Sequence, residues 1–431
     1  MPKKSPIKKL ILGLIVLAVG NIQQVAEADN NSIKLSQQKT HNCQIDRQQP
    51  KFLVFGGGGT PAQNEIAIEK NVLYFQRTLE KIGYNPLAAT TFFANGNDGQ
   101  ATIRYIDELG KQRFKVPEIP NTQGKATLKN LLNWFQKAAR ETSRRPIFFY
   151  FTGHGIKNPN NYNNNALMLW EDRPLTVQKL SQTLDKLPQD TPVVTMMAQC
   201  FSGSFANIIY QGGDPNRPIA LQSRCGFFAT IKTLPSVGCT PEVNEADYKD
   251  YSSSFFAGLS GYSRTGKRVA SADYNRDGKI SYIEAHSFAK VDEKTIDLPV
   301  STLEVWLQNQ ASKADIKFIW EQPIMNLLSK ARPEQQYVVK SIVKMLNLDP
   351  QKSYIENGGG SITEQEINNQ IERAYFLRLG MELINIGVEE KIIKASDQKA
   401  IAILERLLKC EAGIPGRGKR GVGENSIMDN G

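Results

Sequence analysis

Phe148-Phe-Tyr-Phe-Thr-Gly-His154-Gly155 and Val193-Val-Thr-Met-Met-Ala-Gln-Cys200-Phe-Ser-Gly203 decide how this 431-residue chain reads. Each is an apolar run of strand length that ends in one reactive side chain beside glycine or small residues. The two reactive residues stand 46 positions apart. That leaves room for one helix, marked by Leu180, Leu184 and Leu187 at helical spacing. The chain has three histidines, at 41, 154 and 286, so His154 has little competition as a general base.

Working outward, the same texture repeats. Lys51 to Phe55 reads as the first strand, followed by Gly56-Gly-Gly-Gly59. Thr60 and Gln63 have the spacing of a capping box, with Pro61 at the first helical position. Ile68, Val72, Phe75, Leu79 and Ile82 then recur at helical spacing. Thr90 to Ala94 is a second strand, and residues 125–140 form a helix with Leu128, Leu131, Leu132, Phe135 and Ala139 on one face. Gly226 to Thr230 and Arg268 to Ala272 are candidate fifth and sixth strands. Strands apolar on both faces, alternating with helices, predict an α/β fold with a mostly parallel sheet covered on both sides. In such sheets functional residues gather at the carboxyl ends of the strands, where His154 and Cys200 both fall. From about Ser301 the pattern turns helical, over 302–346, 362–386 and 397–410. Ser361 and Glu364 form a second capping box, and residues 413–431 read as a disordered tail.

Lys3, Lys4, Lys8 and Lys9, the apolar run Leu10 to Gly20 and Ala26-Glu-Ala28 read as a signal peptide over residues 1–28, an uncleaved anchor being the alternative. A polar leader, 29–50, follows. The protein is therefore expected to be exported, to a periplasm, the outside of the cell or an endomembrane lumen, with no stable membrane span afterwards. The formal charge of +10 falls to about +7 without that segment. No basic stripe with interleaved aromatics appears, which argues against a nucleic-acid partner. Cys43, Cys200, Cys225, Cys239 and Cys410 are odd in number. With Cys200 free, the expected bonds are Cys225 to Cys239 and Cys43 to Cys410, the alternative being buried thiols. The glycine loop fails as a dinucleotide fingerprint, and Gly413 to Arg420 fails as a phosphate loop. Neither Cys-x-x-Cys nor paired-histidine spacing occurs, so the sequence predicts no zinc site.

A thiol near its free pKa is mostly protonated at neutral pH, and an adjacent imidazole can take the proton so that the thiolate attacks an acyl carbon. Backbone N–H groups of Gly155 and Cys200 are candidate donors to the resulting oxyanion. The blocks around His154 and Cys200 resemble the active-site blocks of caspase-fold cysteine peptidases, and most of all the legumain family. The spacer Leu167-Met-Leu-Trp170 and Leu175-Thr176 is similar too, so the resemblance covers roughly residues 51–262. It implies a caspase-like three-layer sandwich, with His154 as general base, Cys200 as nucleophile and Gly155 as oxyanion donor. The chain departs from the family at Gly56 to Thr60, where legumains carry an Asn, and at Ala198, where they carry a Glu. The family's substrate specificity is therefore not implied. Asp247 and Asp250 read as exposed loop acids, the alternative being acids of the substrate pocket.

Asp273, Asn275, Asp277, Lys279, Ser281 and Glu284 occupy positions 1, 3, 5, 7, 9 and 12 of an EF-hand-type calcium loop, Lys279 through its backbone carbonyl and with Gly278 at the turn. The residues before it do not look helical, so the loop is unpaired, and His286 beyond it reads as structural. The expectation is an exported calcium-binding cysteine endopeptidase acting on a protein or peptide, with its peptidase domain over 51–300 and helices over 301–412. A transamidase using the same acyl-enzyme and a non-catalytic calcium-binding scaffold are the alternatives.

Overall fold

A computed structural model describes residues 49–359 and 370–415. The expected signal peptide, the leader through residue 48 with Cys43, the Ser361–Glu364 capping box and the tail from 416 lie outside the described residues. Seven strands form the central sheet: β1 (Lys51–Gly57), β2 (Thr90–Phe93), β3 (Thr122–Gly124), β4 (Ile147–Gly153), β5 (Val193–Ala198), β6 (Arg224–Phe228) and β7 (Val300–Ser301). Their spatial order is β7-β6-β5-β4-β1-β2-β3. All neighbours are parallel except β7, which pairs antiparallel with β6. The fold is α/β, as the sequence predicts, with a helical C-terminal region.

Five helices cover the two faces: α1 (Ile66–Lys81), α2 (Leu128–Arg140), α3 (Val177–Leu184), α4 (Tyr251–Ser260) and α5 (Tyr282–Asp292). Every residue of β4 is buried. Successive side chains point to opposite faces, and the aromatics divide accordingly. Phe148 stacks on Phe75 of α1 and Tyr282 of α5, and Tyr150 meets Phe256 of α4. Phe149 turns the other way, to Phe135 of α2. Truncating one of these rings to alanine would cost about 3–5 kcal/mol. Ile68, Val72, Phe75 and Leu79 are buried as expected. The capping box at Thr60 is not made. Thr60 forms no side-chain cap over a short 3-10 turn, Pro61–Gln63, and α1 starts only at Ile66.

The expected sixth strand is also corrected. Residues 268–272 lie outside the sheet, with Arg268 in an isolated bridge to Tyr262. The last strand is instead the two-residue β7, whose Ser301 caps the next helix. The helical stretch 302–346 is four pieces: α6 (Thr302–Gln310), α7 (Lys313–Glu321), α8 (Ile324–Leu328) and α9 (Pro333–Met345). Ser312 restarts the chain as an N-cap, and Pro323 and Pro333 cannot continue a preceding helix. Then follow α10 (Gln370–Ala395) and α11 (Gln398–Glu411). One hydrophobic core runs from Phe52 through these helices to Cys410. No described helix is long and apolar enough to cross a membrane.

The cysteine pairing differs from the sequence expectation. Cys225 of β6 bonds Cys410 of α11, while Cys200 and Cys239 are free. The cross-link spans 185 residues and ties the end of the helical region to the sheet. Peptide mapping without reduction should therefore recover a Cys225–Cys410 peptide with Cys200 and Cys239 alkylated. Replacing both bonded cysteines with alanine should lower stability by about 2–5 kcal/mol in denaturant unfolding. A Cys225–Cys239 peptide would contradict this pairing.

Candidate active site

The chain runs from β1 outward to β2 and β3, then returns to lay β4 against the other side of β1. The reversal point lies beyond the carboxyl ends of β1 and β4, the place where open α/β sheets hold ligands. His154 follows β4 directly, and Cys200 stands two residues past the end of β5. Strand register brings the two ends level, with Ala198 beside Thr152. Phe201, next to the cysteine, is held at φ 59°, a left-handed backbone that costs a non-glycine residue about 1–2 kcal/mol.

The segment after β1 folds back over His154. A Cβ on Gly58 would lie 1.9 Å from the Gln63 carbonyl oxygen, so only glycine fits that fold-back. The same carbonyl lies 2.9 Å from His154 Nε2, and Glu65 Oε2 lies 2.9 Å from it. Both partners only accept hydrogen bonds, so Nε2 carries a proton. Glu65 is buried and its other oxygen is paired with Arg104. Burial alone would raise the Glu65 carboxyl, but His154 and Arg104 outweigh it and hold the pKa below the usual range.

Gly155 packs directly on the cysteine. A Cβ there would meet the Cys200 carbonyl oxygen at 1.9 Å. Among the described residues, no hydrogen bond joins His154 to Cys200. The Cys200 thiol instead exchanges contacts with Ser236, accepting from its N–H at 3.3 Å and facing its carbonyl at 3.5 Å. Cys239, three residues on, takes the imidazole. Burial would depress the His154 pKa, yet the hydrogen bond with Cys239 and the Glu65 carboxylate push it up to about 11. Burial and the neighbouring Cys239 sulfur raise the Cys200 thiol, while the Ser236 N–H and His154 pull the other way. Cys200 thus pairs with Ser236, while His154 faces Glu65 and Cys239.

Sequence reasoning missed four residues here. Glu65 is the one acid between the glycine loop and α1, a signal hidden by starting the helix too early. Cys239 was expected in a disulfide. Asp297, fully buried, accepts from the Val237 N–H at 3.1 Å and from the Ser236 hydroxyl, and burial pushes its carboxyl up to about 6. Arg378 of α10, also buried, donates to the carbonyls of Lys290, Glu293, Thr295 and Asp297. The C-terminal helices thus hold residues 290–297, which hold Ser236, which holds Cys200. Asp247 and Asp250 both line a cavity of about 240 Å³ with Gly238 and Thr240. Asp250 is no exposed loop acid: it is buried, caps α4 and pairs with Arg264.

The calcium-loop residues lie apart from this site. Asp273, Asn275 and Asp277 turn their oxygens onto the N–H groups of Asp277, Gly278 and Lys279. Glu284 spans the loop, accepting from Tyr274 N–H at 2.9 Å and from Ser281 at the helix start. The three carboxylates do not converge within 4.8 Å; among the described residues only Glu65, His154 and Cys239 do. His286 is structural as expected, buried between Tyr251 and Glu304.

No family model and no curated protein matches the chain. Among solved structures, a protein from Geobacter sulfurreducens matches with a TM-score of 0.35 and 14% identity, over 58% of this chain and 92% of that one. A likeness that slight carries no argument.

If Asp297 holds the segment over Cys200, Asp297→Ala should speed amide exchange across residues 234–240 and destabilise the protein by about 1–3 kcal/mol. Exchange there at the wild-type rate would show that the segment is held by something else.

Proposed function

We propose that the protein is an exported cysteine endopeptidase in which Cys200 is the nucleophile and His154 the general base. The observation that carries this reading is the placement of both residues at neighbouring strand ends beside the sheet's reversal point, with Nε2 of the imidazole tied to two acceptors. Nδ1 is then the nitrogen that would take the Cys200 proton, once the ring has given up the charge that Cys239 and Glu65 favour. Glu65 would steady the imidazolium that forms, and the thiolate would attack the acyl carbon of a protein or peptide substrate. The N–H groups of Gly155 and Cys200 remain the candidate oxyanion donors. Catalysis requires His154 to exchange Cys239 for Cys200. The likeness of the two sequence blocks to the legumain family supports the same roles. The Cys225–Cys410 bond supports an oxidising compartment. Cys200→Ala and His154→Ala should each abolish cleavage of a peptide library while the folded state persists in circular dichroism. Cleavage that survives either change would remove the dyad.

Calcium belongs to the same proposal. Asp273, Asn275, Asp277, the Lys279 carbonyl, Ser281 and Glu284 would form the oxygen set; Arg276 and Gly278 take left-handed turns at φ 60° and 78°, and the ion would have to gather the three carboxylates. The ion would draw the Glu284 carboxylate from its backbone partners and relieve repulsion among three carboxylates. A single loop should bind in the range of about 10⁻⁴ to 10⁻³ M. A hundredfold excess over Kd adds about 2.7 kcal/mol to stability. The melting temperature should therefore rise in calcium over chelator, and Glu284→Gln, which keeps the helix cap but not the charge, should abolish the rise. Identical melting of the native protein in both conditions would leave the loop a plain turn.

A further inference from the structure

Three side chains from distant segments meet at one point: Glu65 before α1, His154 after β4 and Cys239 in the loop beyond β6. One ligand atom from each lies within 4.8 Å of the other two. The carboxylate is buried and the thiol exposed, so the point is anchored on one side and open to solvent on the other. We propose that Glu65, His154 and Cys239 bind a zinc ion, and that the ion reversibly silences Cys200 by occupying its general base. The silencing half rests on the reading of His154 as that base; the binding half does not.

The donor set selects the metal. Oxygen, imidazole nitrogen and thiolate sulfur suit a borderline-soft divalent cation. Calcium, which takes six to eight oxygens, does not fit. Metal–ligand distances of about 2.0–2.3 Å put tetrahedral ligands roughly 3.3–3.8 Å apart, so atoms lying within 4.8 Å of one another need to close by no more than about 1.5 Å. Carboxylate and thiolate together balance the charge of the ion. Arg104 holds the second oxygen of Glu65, the outer-shell bond that orients a ligating carboxylate. Three protein ligands leave the fourth position to water, as in open zinc sites.

Metal ligands bind in their deprotonated forms, so binding releases protons to solvent. Affinity therefore falls as pH falls. With one ring nitrogen on the metal, a neutral imidazole carries its single proton on the other. No nitrogen is then left to accept the proton of Cys200.

The test is a Co²⁺ titration of the full, tag-free chain, on a His41→Ala, Cys43→Ser background so that no histidine or cysteine outside the described residues competes. One equivalent should give tetrahedral visible bands and a thiolate-to-cobalt charge-transfer band, both displaced by Zn²⁺. Cys200→Ala should keep the charge-transfer band. Cys239→Ser should lose it and weaken Zn²⁺ by calorimetry more than about a hundredfold, beyond the 10–100-fold that an outer-shell loss costs. Glu65→Gln, which keeps the hydrogen bond to His154, should weaken Zn²⁺ as well. A band that follows Cys200 instead of Cys239, or no band at all, overturns the site. Peptide turnover in chelator separates the two claims. Zinc binding at Cys239 with no turnover leaves the site standing and removes the peptidase reading. Turnover without zinc binding does the reverse.

Discussion

Strand β4 has no exposed residue from Ile147 to Gly153, and the rest of the molecule answers to that. A strand buried on both faces needs helices on both sides and partners along both edges. Phe148 and Tyr150 are met by α1, α4 and α5, and Phe149 by α2. Polar chemistry has no place along such a strand, only at its end. Because the sheet reverses between β1 and β4, that end lies at the reversal point. His154 stands there, with Glu65 and Gln63 folded in from the β1 side.

The C-terminal helices belong to the same object. The core is continuous through them, and the Cys225–Cys410 bond fastens α11 to β6. Buried charge also joins them to the sheet's helices: Lys290 of α5 lies between Glu304 and Glu382, and removing one partner of such a group is costly. Arg378 spends its donors on backbone carbonyls of residues 290–297. A line of contacts runs from there through Asp297 and Ser236 to Cys200. This gives the helices a part in the site as well as in stability.

Residues whose signal is local were legible in the sequence. His154 and Cys200 could be found because each ends an apolar strand, and β1, β4 and β5 because their runs are long. The calcium-loop spacing was legible for the same reason. β7 was not: two residues carry no period, and its antiparallel pairing depends on β6. Thr60 and Gln63 had the spacing of a cap, but the glycine fold-back placed them in a 3-10 turn. An odd cysteine count says that one thiol is free without saying which partners bond. Glu65, His154 and Cys239 share no spacing rule, since only the fold brings them together, and the absence of zinc-like spacing said nothing about them.

The central claim is that Cys200, served by His154, is the nucleophile, although Cys239 sits nearer the imidazole. Labelling with a panel of peptides bearing a thiol-reactive acyl warhead, followed by peptide mapping of the adduct, tests it most directly. The account predicts an adduct on Cys200 that disappears in His154→Ala. An adduct on Cys239, or labelling of Cys200 at an unchanged rate without His154, would contradict it.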